Sequence, residues 1–108
     1  MSVEEISFKL MRMLEENPRL SQREAAQQLG ISLGKVNYCL KSLMRVGWLK
    51  ATRFTNSRNK SAYFYLLTPR GIEEKASITL EFLQAKLREY ELLKTEIEQL
   101  QRDVHHRG

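Results

Sequence analysis

A chain of 108 residues is the length of one ordinary domain, and the stretch beyond about residue 85 is too polar to bury much, which leaves roughly 80 residues for a compact core. The single cysteine, Cys39, excludes an internal disulfide. Glu4, Glu5, Glu15 and Glu16 interrupt the first twenty residues where a signal peptide needs an apolar run, and no apolar stretch approaches the length of about 18 residues that a membrane span requires. The reading is a cytoplasmic chain with no membrane partner. Its net charge of +5 is unevenly spread. Residues 1–34 carry four basic and five acidic side chains, and residues 71–108 carry six and eight. Between them Lys35, Lys41, Arg45, Lys50, Arg53, Arg58, Lys60 and Arg70 occur without one Asp or Glu. A cationic middle between acidic flanks is the pattern of a surface that meets a polyanion.

Val3, Ile6, Leu10, Met13 and Leu14 fall at helical spacing, with Ser2 as N-cap and Glu5 as its capping-box partner, and predict a first helix that ends before Pro18. Ser21-Gln22-Arg23-Glu24 is a second capping box. It opens a short helix through Leu29 whose Ala25, Ala26 and Leu29 make a small-residue buried face, and Gly30 stops it. Ser32 caps a third helix over 33–46, in which Val36, Cys39, Leu40, Leu43 and Met44 recur on one face up to Gly47. Cys39 is thereby a small buried hydrophobe, since a catalytic thiol needs a basic partner and no histidine is near in sequence.

From Trp48 the residue types change. Leu49, Ala51, Thr52 and Phe54 precede a polar, cationic turn at 55–61, and Ala62 to Leu67 follow it, which predicts a β-hairpin with a loop longer than a tight turn needs. Tyr63 and Tyr65 are expected to pack the hairpin on the helices rather than to stack on bases. Thr68 as N-cap and Pro69 in the first turn then announce a helix, and no further Pro or Gly occurs between Ile72 and Arg107. The prediction is a helix over 69–104 and a disordered tail at 105–108. Tyr90, Leu93, Ile97, Leu100 and Val104 step by 3, 4, 3 and 4, the signature of a coiled-coil seam between two copies of the chain. Carried backwards the same frame meets Lys86, Leu83, Thr79 and Ala76, so it is clean only over the last two heptads. The broader stripe before it, with Ile72, Ile78, Phe82, Leu83 and Leu87, is expected to pack on its own domain.

The run from Gln22 to Lys41 satisfies the frame of a helix-turn-helix. Ala26 is small where two helices cross, Gly30 tolerates a left-handed turn, and Val36 is a β-branched anchor. Ala25, Leu29, Ile31, Cys39 and Leu40 fill the remaining apolar positions. Such a unit followed at once by a hairpin is the winged variant. The expected class is mainly α with a small β-hairpin, a winged helix-turn-helix over 1–75 followed by a long C-terminal dimerisation helix.

Three strings carry a resemblance: Gly34-Lys35-Val36-Asn37-Tyr38-Cys39-Leu40-Lys41 in the third helix, Asn59-Lys60 in the wing, and Leu67-Thr68-Pro69-Arg70-Gly71-Ile72-Glu73-Glu74-Lys75 entering the last helix. On these, Leu20 to Leu100, about three quarters of the chain, resembles the MarR family of winged-helix transcriptional regulators, and in particular its short subgroup associated with exopolysaccharide gene clusters. Asn59 and Ser61 stand where the acidic residue and arginine usual in that family's wing would align. The resemblance implies a homodimeric regulator of transcription.

In that reading the third helix lies in the major groove of double-stranded DNA, where Ser32, Lys35, Asn37, Tyr38 and Lys41 meet base edges or phosphates. Asn37 has the chemistry for a bidentate pair with adenine, and Lys35 and Lys41 donate to guanine or phosphate. Leu33 and Gly34 offer only van der Waals contact or close backbone approach. Arg45 and Arg53 join the cationic face, and Arg58, Asn59 and Lys60 at the wing tip enter the minor groove or clamp the backbone. The competing reading is a winged-helix adaptor whose coiled coil recruits a protein partner, but an acid-free stretch over both recognition helix and wing favours DNA. An enzyme is not expected: there is no Gly-rich phosphate loop and no nucleophile beside a base. His105 and His106 with one cysteine supply no structural metal site, and no cofactor is implied.

Overall fold

The computed structural model describes residues 1–55 and 61–107. Its elements are α1 (Val3–Glu16), α2 (Gln22–Leu29), α3 (Leu33–Arg45), β1 (Leu49–Thr55), β2 (Ser61–Leu67) and α4 (Pro69–Arg107). They divide into two compact units, Met1–Ala76 and Ser77–Gly108. No helix among the described residues is long and apolar enough to cross a membrane.

Serine caps start all three short helices. The hydroxyls of Ser2, Ser21 and Ser32 accept the backbone N–H of Glu5, Glu24 and Lys35, each satisfying one donor that the first turn leaves unpaired. At Ser21 the box is reciprocal, because Glu24 accepts the Ser21 N–H at 3.3 Å. Glycine ends α2 and α3 by one device. At Gly30 (φ +68°) the Gly30 and Ile31 N–H groups donate back to the carbonyls of Gln27 and Ala26. At Gly47 (φ +80°) the Gly47 and Trp48 N–H groups donate to Met44 and Leu43. This is the paired bonding of a Schellman motif, and it needs the left-handed backbone that glycine adopts without a Cβ penalty.

The core of the N-terminal unit joins Ile6, Phe8, Leu10, Met11 and Leu14 of α1 to Leu20, Ala25, Ala26, Val36, Cys39, Leu40, Leu43, Leu49 and Tyr65. Cys39 is fully enclosed, as a small hydrophobe. The buried face of α1 differs from the expected one, with Phe8 and Met11 inside, Met13 half-buried and Val3 exposed. Helix α1 packs against α2, α3 and β2 together, so it buries more than one stripe, while Val3 sits in the first turn at its open end.

Strands β1 and β2 pair antiparallel from Leu49 opposite Leu67 to Thr55 opposite Ser61, one residue further toward the turn on each side than predicted. The expected wing-tip contacts Arg58, Asn59 and Lys60 lie outside the described residues. Tyr65 packs inward as expected, and its N–H donates to the Pro18 carbonyl at 3.2 Å, tying the α1–α2 connection to the sheet. Tyr63 does not. Two residues nearer the tip on the same strand face, it remains 47% exposed and accepts a hydrogen bond from Arg53 instead.

Helix α4 is anchored through Thr68. Its hydroxyl accepts the Gly71 N–H at 3.0 Å and donates to the Gly47 carbonyl, while its own N–H donates to the Trp48 carbonyl at 3.0 Å. One side chain therefore caps α4 and bolts it to the turn that ends α3. Gly71 is buried there, and a Cβ at this position would overlap the Trp48 carbonyl oxygen and stand 2.8 Å from its carbon. The Leu-Thr-x-x-Gly string thus has a packing cause. A Lys75–Glu15 ion pair of 3.2 Å adds a tie to α1.

The second unit is the remainder of α4. The helix continues through His105 and His106 to Arg107, past the expected start of a disordered tail at 105, and no glycine or proline falls within it after Gly71. Ile72, expected to pack on its own domain, is exposed, and Ile78, Phe82, Leu83 and Leu87 of the same stripe belong to the second unit. Among the described residues the core of the N-terminal unit is completed by Leu49 and Tyr65 and takes no apolar side chain from residues 69–76 of α4.

Candidate nucleic-acid interface

With about 100° of turn per residue, Val36, Cys39, Leu40 and Leu43 define the buried side of α3, and Gly34, Tyr38, Lys41 and Arg45 fall on the side opposite. All four outward residues are exposed, Tyr38 by 57%. Lys35 stands on one flank of this ridge, also exposed, and Asn37 on the other, half-buried. The ridge carries two cations and a phenol with no carboxylate between Glu24 and Glu73 to neutralise it. Ser32, included in the expected base-contacting set, spends its hydroxyl on the α3 cap at 3.1 Å from the Lys35 N–H.

Asn37 is held by a residue that sequence reasoning treated only as part of a helix start. Its Nδ2 donates to Gln22 Oε1 at 3.2 Å, and Gln22 Nε2 donates in turn to the Tyr65 hydroxyl at 3.0 Å. The relay joins α3, the first turn of α2 and the hairpin through one amide that accepts on one side and donates on the other. It restrains the rotamer of Asn37 and ties α3 to β2. The available signal for Gln22 was its place directly after the Ser21 cap, where α2 begins against α3. A side-chain pairing between elements fifteen residues apart leaves no periodic trace.

On the hairpin Arg53 lies opposite Tyr63 in the register. Its Nη2 donates to the Tyr63 hydroxyl at 3.0 Å, and its guanidinium sits 5.4 Å from that ring's centroid. Stacking and hydrogen bonding orient the cation without neutralising it. Lys50 and Arg70 are exposed. Tyr90, Leu93, Ile97, Leu100 and Val104 are all exposed on α4, between 47% and 70%. Among the described residues no group of three or more His, Cys, Asp or Glu side chains is placed to hold a metal ion.

Residues 3–50 match the family model described as winged helix-turn-helix DNA-binding. No curated protein matches the chain by sequence. Among solved structures the chain is similar to TA0346 of Thermoplasma acidophilum (TM-score 0.68, 15% identity, 85% of this chain and 93% of that one). It is similar also to a MarR protein of Peptoclostridium difficile (TM-score 0.62, 15% identity, 91% and 68%). A third likeness is to a point mutant of S. aureus MepR bound to an oligodeoxyribonucleotide (TM-score 0.53, 20% identity, 92% and 78%). Three helices, a hairpin and a capped last helix give this chain the winged helix-turn-helix fold, and its resemblance to MarR-type regulators is one of fold.

Proposed function

We propose that the chain is a sequence-specific regulator of transcription that binds double-stranded DNA as a homodimer, with α3 in the major groove and the 55–61 tip on the minor groove or the phosphate backbone. The observation that carries this reading is the carboxylate-free ridge of Tyr38, Lys41 and Arg45 on the face of α3 opposite the core, with Lys50 and Arg53 as further exposed cations on the hairpin. The DNA-bound MepR structure, similar in fold, supports it. Tyr38 and Lys41 are the proposed base contacts, and Lys35, Arg45, Arg53, Arg58 and Lys60 the phosphate contacts. Asn37 reaches an adenine edge only with the free lone pairs of its amide oxygen and its second N–H, since Gln22 holds the first. The resemblance to the short exopolysaccharide-associated subgroup makes a gene cluster of that type the proposed target.

Counterion release supplies the test. About four phosphate contacts per subunit, and so about eight per dimer, give an expected slope near −7 for log affinity against log salt on a duplex of arbitrary sequence. Fluorescence anisotropy across a salt series measures it. A slope near zero contradicts the proposal and leaves the adaptor reading in its place.

A further inference from the structure

We infer that residues 83–104 of two copies of this chain pair in parallel, as a two-stranded coiled coil. The inference rests on the homodimer reading and adds the direction of the helices. Leu83, Tyr90, Ile97 and Val104 recur every seventh residue on α4, and each is exposed. This spine changes its flank. Leu80 and Leu87 accompany it upstream, and Leu93 and Leu100 on the other side downstream. Over the last two heptads the spine positions are a (Tyr90, Ile97, Val104) and the downstream leucines are d. Two of these a residues, Ile97 and Val104, are β-branched, and β-branched residues at a with leucine at d favour two parallel strands.

Charge on the two sides of the seam points the same way. Glu89, Glu96 and Asp103 line one edge, and Lys94 and Gln101 the other. A parallel pair sets each edge against the opposite edge of its partner, so Glu89 faces Lys94 of the partner subunit and Glu96 faces Gln101 of the partner subunit. An antiparallel pair sets like edge against like, so the Glu89, Glu96 and Asp103 edges of the two helices face each other and Lys94 loses its carboxylate partner. Lys86 occupies the next d position upstream and ends the dry part of the seam; it bonds Glu89 of its own helix at 3.2 Å, a well-exposed pair that a partner's lysine can replace. Parallel pairing brings the starts of both α4 helices to one end, which suits half-sites centred about 10 base pairs apart.

Two variants of the full chain that each add one cysteine, Leu93→Cys and Val104→Cys, test the direction under mild oxidation. Buried Cys39 stays in place and the parent protein is the blank, while Thr95→Cys, off the seam, is the negative control. Positions 93 and 104 lie about 16 Å apart along a helix. In a parallel pair each residue faces its own counterpart, so both variants are expected to form covalent dimers. In an antiparallel pair self-contact occurs only at the two-fold axis, and at most one variant crosslinks. Sedimentation of the reduced proteins separates the two failures. A dimer in which only one variant or neither crosslinks overturns parallel pairing and leaves the homodimer standing, whereas a monomer overturns both. As a second readout, Glu89→Lys and Lys94→Glu are each expected to raise the dimer dissociation constant about fivefold, and the double variant to recover most of the loss. Additive losses in the double variant contradict the parallel register.

Discussion

Gly71→Ala is expected to lower the thermal midpoint by about 15 °C or more, although alanine is the better helix former by about 0.5–1 kcal/mol. The new Cβ would overlap the Trp48 carbonyl oxygen, and the obstructing atom is backbone rather than the end of a flexible side chain. Relief requires α4 to move away from the Gly47–Trp48 turn, which strains the two bonds that Thr68 makes to that turn. Overpacking of this kind costs about 3 kcal/mol, and each kcal/mol moves the midpoint of a domain this size by about 4–8 °C. Gly34→Ala is the matching opposite. Gly34 is helical, and a Cβ there meets nothing within 4 Å, so alanine should stabilise the chain by about 0.5–1 kcal/mol. Gly34 also lies on the outward side of α3 beside Tyr38, where close approach to a base edge has use for a missing side chain. Its alanine variant should therefore fold better and bind duplex DNA about tenfold more weakly, a loss within the range of one base contact. Thermal melting by circular dichroism with anisotropy on the same samples checks both. A Gly71→Ala midpoint equal to the parent's would refute the close approach.

Leu93→Glu with Ile97→Glu should produce a folded monomer that loses about 100-fold or more in affinity for a duplex carrying two half-sites. Both side chains are exposed in the single chain, at 55% and 47%, so the substitutions cost the monomer little. Across a seam they place like charges in an apolar interface, at several kcal/mol per dimer. Linked heads bind their second half-site at an effective concentration that separate heads lack, which is the source of the lost affinity. Sedimentation and binding to one-site and two-site duplexes distinguish this from unfolding, because one-site affinity should be retained. If the variant still sediments as a dimer, the interface lies outside the Tyr90–Val104 seam.

The sequence makes legible whatever repeats or punctuates. The serine caps, Gly30, Gly47 and the apolar face of α3 each leave a local or periodic signal, and each stands where it was expected. Relations between distant segments were not legible. Gln22 occupies an unremarkable helix-start position, and only the approach of α3 and β2 turns it into the link between Asn37 and Tyr65. Met11 enters the core in place of Met13 because α1 meets three elements rather than one, a number that its own periodicity does not contain. Tyr63 and Tyr65 look alike in sequence, but distance from the helices separates them, one pairing with Arg53 and the other with Gln22. The Thr68–Gly71 pair was recognised as a string, and its cause became visible only with the Trp48 backbone beside it.

Selection of bound fragments from random duplex DNA by the full chain tests the central claim most directly. A dimeric reader should enrich one short sequence, repeated with two-fold symmetry at a fixed separation, and substitution at Tyr38 or Lys41 should relax the preference at particular base positions. If repeated rounds return the starting pool, with no sequence enriched, the chain does not read DNA and the cationic ridge of α3 serves another partner.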